Sequence, residues 1–375
     1  VVKQSPDCGA FAEADMQLLK YICSLIGVSV GDDLSVQGAG ETFWPDLTRI
    51  ASEQLVLTVM AGTTARLNGL PPGADEATAF FRQIAETGRE RNRWLLEQLE
   101  QAAGALHGAG IPAMVMKGGA FLLEDRENAA AWRFFGDMDF MVPEDRLADG
   151  VAVLKELGYQ DPGRAYHPEF QRHYPFLNHP EGTSGIDLHT RPAGLDQSAL
   201  LDAGHYFAHA ETIELPDGQV MVPSPTDRMA HLIVNAQILD YRYKRRLFRL
   251  RDVLDFSRLV QRNEVDMNEI WKRFEAYGQV RPLMAYLAAM GRVLGPCYRA
   301  PEESAGEHGW MDAAARVIQD PRRARIHVIR HWFQMLYETL SDGARRRHLF
   351  RRLVDREQRA EFIGRRMSYW KVFRR

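Results

Sequence analysis

The stretch RFFGDMDFMV, residues 133–142, sets two aspartates two positions apart at the head of an apolar run. On a strand, side chains at i and i+2 point to one face, so Asp137 and Asp139 are expected side by side. Each then raises the cost of ionising the other, and a positive group is expected between them. Removing one relieves that repulsion, so Asp137→Ala or Asp139→Asn is expected to melt no lower than the parent protein. Two more features join the pair. Lys117-Gly118-Gly119 closes the apolar run IPAMVMKGG at 111–119, and Asp187 sits inside SGIDLHTRP at 184–192. Paired glycines let a phosphate approach the backbone, and a helix that follows offers free N–H groups. Three carboxylates can hold two Mg²⁺ ions, which take oxygen ligands and bridge phosphates. Two such ions stabilise both the attacking and the leaving oxygen of an in-line displacement.

These residues need elements to hold them. The first 110 residues read as helices: MQLLKYICSLIG ends at Gly27, and FWPDLTRIASEQLVLTVMAGTTARL continues in helical spacing. LPPGADE breaks the pattern, with Asp75 as a cap for a long helix that Gly108 and Gly110 stop. From 111 to 225 the period changes. IPAMVMKGG and DMDFMV are expected strands, AFLLEDRENAAAWR a helix and loop, and PEDRLADGVAVLKELGY a helix with Pro143 in its first turn. RHYPFLNH and SGIDLHTRP are further strands, and the alternation indicates an α/β or α+β core. Residues 226–320 return to helix, with RLFRLRDVLDFSRLVQR carrying an apolar stripe opposite its arginines. Residues 321–375 form an Arg-rich helical tail.

Hydrophobic residues make up 45% of the 375 and charged residues 26%, which suits a globular chain of two or three domains. The net charge of −3 gives no overall pull toward nucleic acid or a membrane. The charge is uneven, however: 16 Lys/Arg against 5 Asp/Glu from Pro321 onward leave the remainder acidic. Cys8, Cys23 and Cys297 form no CxxC motif, so a reducing compartment, the cytoplasm, is expected. No signal peptide and no membrane helix of about 20 apolar residues is read.

The order of strand, Gly-Gly, Asp-x-Asp and a lone Asp on a later strand resembles the DNA polymerase beta-like nucleotidyltransferase superfamily. More closely, MVMKGGAF, WRFFGDMDFMV and IDLHTRP together resemble the bacterial family of uncharacterised nucleotidyltransferases, across roughly residues 15–295. The resemblance implies an α+β fold, a polymerase beta-like core with a small mixed sheet flanked by helical N- and C-terminal regions. It implies Asp137 and Asp139 as metal ligands and Asp187 as third ligand and base. Gly118 and Gly119 would line the triphosphate, with Lys117 and Arg133 as phosphate-binding or structural residues. Two departures stand out. Gly119 and Asp137 are separated by 17 residues, more than the superfamily's usual interval, so the loop 122–132 is expected to be an insertion that closes over substrate. Thr190 stands where the family has an aromatic after Asp-Leu-His.

The expected activity is transfer of a nucleoside monophosphate from an NTP, ATP being the first choice, to a small-molecule, peptide or protein acceptor, with pyrophosphate released. Two rivals remain. A non-catalytic nucleotide-binding regulator on the same scaffold is disfavoured by the presence of all three aspartates. An RNA-directed transferase gripping an RNA end with its tail is disfavoured by the acidic remainder. No Walker A or kinase motif occurs. His189 shares a face with Asp187, and serves to orient a carboxylate, touch substrate or pack. His205 and His209 lack the H-E-x-x-H arrangement, so no zinc site is expected there. His167, His173 and His179 read as incidental. Arg345–Arg347, Arg351 and Arg352 read as a solvated helix face, with an acidic partner the sharper alternative. Trp332, Phe333, Tyr337, Tyr369 and Trp370 read as packing residues rather than base-stacking platforms.

Overall fold

A computed structural model describes residues 3–4, 14–126, 133–168, 171–262, 264–295, 298–299 and 305–341. Four helices come first: α1 Ala14–Leu25, α2 Phe43–Glu53, α3 Leu57–Thr64 and α4 Ala74–Gly108. The expected continuous helix from Phe43 onward is broken between α2 and α3. Leu55 there adopts a left-handed φ of +60°, and the amide of Val56 closes the turn on the carbonyl of Ala51 at 2.8 Å. A leucine gives no glycine signal for such a turn. Asp75 lies inside the first turn of α4 rather than capping it. The buried positions Phe81, Ala85, Asn92, Leu95, Leu99 and Leu106 recur at helical spacing, so one stripe of α4 faces the core.

The sheet follows. Its strands are β1 Met114–Val115, β2 Met138–Met141, β3 Ile186–His189, β4 Glu211–Leu215 and β5 Gly218–Val222, in the order β3-β2-β1-β5-β4. The pairs β2/β3 and β1/β5 are parallel and the pairs β1/β2 and β4/β5 antiparallel, so the sheet is mixed. All four positions of β2 are buried, which is why its sequence reads as a continuous apolar run rather than an alternation. Three expectations need correcting. Lys117-Gly118-Gly119 does not close a strand but opens helix α5, Lys117–Glu124. Asp137 precedes β2, because pairing begins where the amide of Met138 donates to the carbonyl of Gly185 at 3.2 Å. RHYPFLNH forms only isolated bridges, His173 opposite His189 and Leu177 opposite Ile186 along β3 and Asn178 opposite Gln160. The β4–β5 hairpin adds two strands beyond those expected from the sequence, and its Pro216-Asp217-Gly218 turn, with Gly218 at φ +136°, is the turn signal that marks it.

Helix α6, Leu147–Glu156, lies between β2 and β3, and α7, Ala203–Ala208, between β3 and β4. After the sheet come α8 Pro225–Val234, a π-helical turn Asn235–Leu239, α9 Arg242–Arg245, α10 Arg251–Gln261, α11 Met267–Ala276, α12 Val280–Leu294, α13 Ala305–Gln319 and α14 Ala324–Ser341. Ser224 caps α8 by accepting from the amide of Asp227, with Pro225 in the first turn. The apolar stripe of α10 is buried as expected, but two carboxylates, Asp252 and Asp255, are buried with it. One apolar core runs from α1 through the sheet to α13. No helix among the described residues is long and apolar enough to cross a membrane. Most of the expected loop closure at 122–132, and the tail arginines 345–347, 351 and 352 with Tyr369 and Trp370, lie outside the described residues.

Candidate active site

Asp139 and Asp187 are directly paired in register on the parallel strands β2 and β3, so their side chains share one face of the sheet. His189, two residues on, shares that face, and ligand atoms of Asp139, Asp187 and His189 all lie within 4.8 Å of one another. Asp137 is outside this cluster. It is exposed, and lines the cavity on which Asp139 also opens. Asp139 thus has a close carboxylate neighbour across the sheet, Asp187.

A positive group does meet Asp139: the ammonium of Lys117 forms an ion pair with its Oδ1. Lys117 is set by backbone strain. It takes a left-handed φ of +51°, which for a residue with a Cβ costs about 1–2 kcal/mol. Gly118 and Gly119 supply space rather than unusual dihedrals. A Cβ on Gly118 would lie 2.8 Å from Phe135 Cδ1 and 3.0 Å from Arg133 Nη2, and one on Gly119 would lie 2.6 Å from Val115 Cγ1. Gly118 therefore faces the cavity and the 133–136 loop, and Gly119 faces the packed interior against β1 and α4.

That loop is held from below by α4. The side-chain amide of Asn92, fully buried, donates to the carbonyl of Arg133 at 2.7 Å and accepts from the amide of Phe135 at 3.3 Å. Arg91 donates to the carbonyl of Phe135 and stacks 4.3 Å from the Phe134 ring centroid. Arg133 is buried, packs 4.1 Å from the Phe135 ring centroid and pairs with Asp255 of α10 at 2.7 Å. Burial lowers its pKa to about 10 against the pull of Asp255, so the guanidinium stays charged at neutral pH. Its contacts tie the sheet to the C-terminal helices.

The carboxylates of the pair titrate in opposite directions. Burial would raise Asp139, but the Lys117 ammonium and a hydrogen bond from His189 outweigh it and hold the carboxyl well below the usual range. Burial raises Asp187, against the pull of His173 and with a further push from the Asp139 charge. His189 is wholly buried, and burial takes its imidazole down to about 3, against the Asp139 hydrogen bond. It is neutral at pH 7, and its Nε2–H donates to Asp139 Oδ1 at 3.0 Å. Of the roles open to His189, orienting a carboxylate matches this contact. His173, read as incidental, stands beside the site: its Nδ1 is 3.5 Å from Asp187 Oδ1 and its ring 5.1 Å from that of His189. His205 instead meets Arg273 at 2.8 Å and Asp227 at 3.4 Å, a salt-bridge cluster at the start of α8.

The cavity beside Asp139 has a volume of about 120 Å³. The sheet side contributes Lys117, Gly118, Arg133, Asp137 and Asp139; the helical side contributes Arg228, His231, Arg242, Arg251 and their neighbours. The helical contribution was missed in the sequence, although Arg228, His231 and Asn235 fall on one face of α8 and its π extension. The donor set suits Mg²⁺: Asp139 and Asp187 offer hard oxygens, Asp137 adds a third carboxylate at the rim, and Asp139 already holds a cation in the Lys117 ammonium. Comparison with curated proteins and with solved structures gave no match. The model of a family described as uncharacterised nucleotidyltransferases matches residues 40–295, which includes every residue of this site and well over half of the chain. The chain belongs to that family and is a nucleotidyltransferase.

Proposed function

We propose that the protein moves a nucleoside monophosphate from an NTP, ATP in the first place, to a hydroxyl or phosphate of a small-molecule, peptide or protein acceptor, on a polymerase beta-like core. The acceptor oxygen bonds to the α-phosphorus as the bond to the bridging oxygen breaks, and pyrophosphate leaves with that electron pair. Asp137, Asp139 and Asp187 would hold two Mg²⁺ ions, which neutralise the triphosphate and polarise the reacting phosphorus. The chain's own groups do the rest. His189 fixes the rotamer of Asp139 through Nε2, Lys117 counters its charge, and Asp187, the carboxylate held toward protonation, takes the acceptor's proton. Positioning and charge compensation of this kind are the main contributions a protein makes to phosphoryl transfer.

The observation that carries the reading is the in-register pair Asp139–Asp187 with Lys117 strained toward it, inside a nucleotidyltransferase family match. The test is incubation of the protein with each α-labelled NTP and Mg²⁺, with and without fractions of cell extract, scoring pyrophosphate release and label transfer. Loss of both signals in Asp139→Asn and in Asp137→Ala is expected; full activity in either variant overturns the assignment.

A further inference from the structure

We propose that Arg251, Arg228 and His231, on α10 and α8, form an anion pocket that grips the pyrophosphoryl end of the triphosphate and holds pyrophosphate as it leaves. The proposal deepens, and rests on, the nucleotidyltransferase reading of the aspartates.

Three observations carry it. First, these side chains line the same cavity as Lys117, Asp137 and Asp139, from helices α8 and α10. Second, they bring unused donors to it. Arg228 Nε and Nη2, Arg251 Nε and His231 Nε2 are buried with no hydrogen-bond partner among the described residues. Arg228 is 5% and His231 4% exposed, so water does not serve them readily. A native fold rarely buries charged donors unpaired unless something else supplies the acceptor. Third, the other arginines of the same cavity are spoken for: Arg133 pairs with Asp255 at 2.7 Å and Arg242 with Asp252 at 2.5 Å. Arg228 commits Nη1 to Glu124 and one face to the Phe121 ring at 4.2 Å, which fixes the guanidinium and leaves its other edge unused.

Charge selects the ligand. Lys117, Arg228 and Arg251 line one cavity, and buried donors of Arg228 and Arg251 open on it, which suits the oxygens of a polyphosphate. Arginine forks match phosphate oxygens in geometry and charge, and a neutral His231 adds a hydrogen bond without further repulsion of its cationic neighbours. The leaving group would then be received among Lys117, Arg228 and Arg251.

The test uses inorganic pyrophosphate, titrated calorimetrically into the full-length protein in EDTA, with AMP and sulfate as comparators. Pyrophosphate should bind more tightly than either. Arg251→Gln should weaken it by about tenfold or more, the worth of one hydrogen bond to a charged group. Arg251 makes no close ion pair among the described residues, but its charge favours the ionised form of buried Asp255, so melts run beside the titration establish that Arg251→Gln is folded, and His231→Gln keeps the test open if it is not. His231→Gln is the second variant, expected to weaken pyrophosphate by a smaller factor. Pyrophosphate that binds no better than sulfate, or binds Arg251→Gln within twofold of the parent, overturns the pocket. NTP turnover in those circumstances would leave the reading of the aspartates standing. Arg251-dependent pyrophosphate binding without turnover of any NTP would support the pocket and count against that reading alone.

Discussion

Asp139→Asn separates two physical accounts of the aspartates. If Asp137 and Asp139 mainly repel each other, the variant melts at or above the parent. The structure argues the opposite, because the immediate neighbours of Asp139 Oδ1 are the Lys117 ammonium and the His189 N–H. Breaking a fully buried ion pair by removing one partner costs about 3–5 kcal/mol. The Asp139 side chain is 6% exposed but that of Lys117 is 26% exposed, so the freed ammonium regains part of its hydration. Exposed pairs are worth only about 0–1 kcal/mol, and about 1–3 kcal/mol is the expected loss between those limits. For a chain of this length, at ~2 °C per kcal/mol, the melting temperature should fall by about 2–6 °C. Asp137→Asn, at an exposed position, should melt close to the parent.

The pH dependence has a definite sign. The folded-state pKa of Asp139 lies below the ordinary 3.8, so its contribution is present above about pH 4 and is lost as pH falls further toward the folded value. The gap between parent and Asp139→Asn should therefore be constant from pH 7 to about 5 and close at lower pH. A double-mutant cycle with Lys117→Met isolates the pair, with a favourable coupling expected between the two sites. Thermal melts by circular dichroism across pH 3–8 measure all of this. An Asp139→Asn variant as stable as the parent at pH 7, or a coupling near zero, refutes the ion-pair account.

Asp187→Asn should depress single-turnover rates far more than NTP affinity by calorimetry, since its proposed work is on the acceptor proton; an unchanged rate returns it to a structural role. His173→Gln, which removes the imidazole 3.5 Å from Asp187, should lower kcat by about 10–100-fold with the KM for NTP within about twofold, and a change in KM alone would contradict a role in supporting Asp187. Gly119→Ala should destabilise by about 1–3 kcal/mol, because its Cβ would lie 2.6 Å from Val115 Cγ1 in a packed interior; a melt equal to the parent's would show that α5 can shift freely. Affinity for a tRNA pool should be weak and fall only modestly between 50 and 200 mM salt, whereas a steep slope of roughly a thousandfold for about six phosphate contacts, abolished by changing Arg345, Arg346 and Arg347 to Glu, would promote the RNA-directed reading.

Local pattern carried the elements as far as local forces set them. The stripe of α4, the stop at Gly108, the buried run of β2 and the Ile186–His189 strand were all legible, because period and punctuation follow from a single segment's own burial. The break at Leu55 was not, since a leucine held left-handed by its surroundings leaves no mark in composition. Nor was the fate of RHYPFLNH. Its apolar content suits a strand, yet it meets β3 only through isolated bridges, a matter of how the chain arrives at the sheet edge.

The site divides along the same line. Counting by two along a strand pointed to Asp137 as the neighbour of Asp139, and that rule fails one residue before the strand begins. Register across the sheet sets Asp187, far away in sequence, beside Asp139, and brings His173 with it. No single-segment rule reaches such pairs. The helical wall is an intermediate case. Arg228, His231 and Asn235 share a face of α8, and Arg251, Asp252 and Asp255 share one of α10, so the sequence showed polar groups on otherwise buried helices. A charged group on a buried helix face needs a partner from outside that helix. For Asp252 and Asp255 the fold supplies Arg242 and Arg133. Arg251 and Arg228 share the charge of Asp255, and Arg228 pairs with Glu124, yet Arg251 Nε and Arg228 Nε and Nη2 keep no hydrogen bond among the described residues; the proposed polyanion is the partner that would fill these positions.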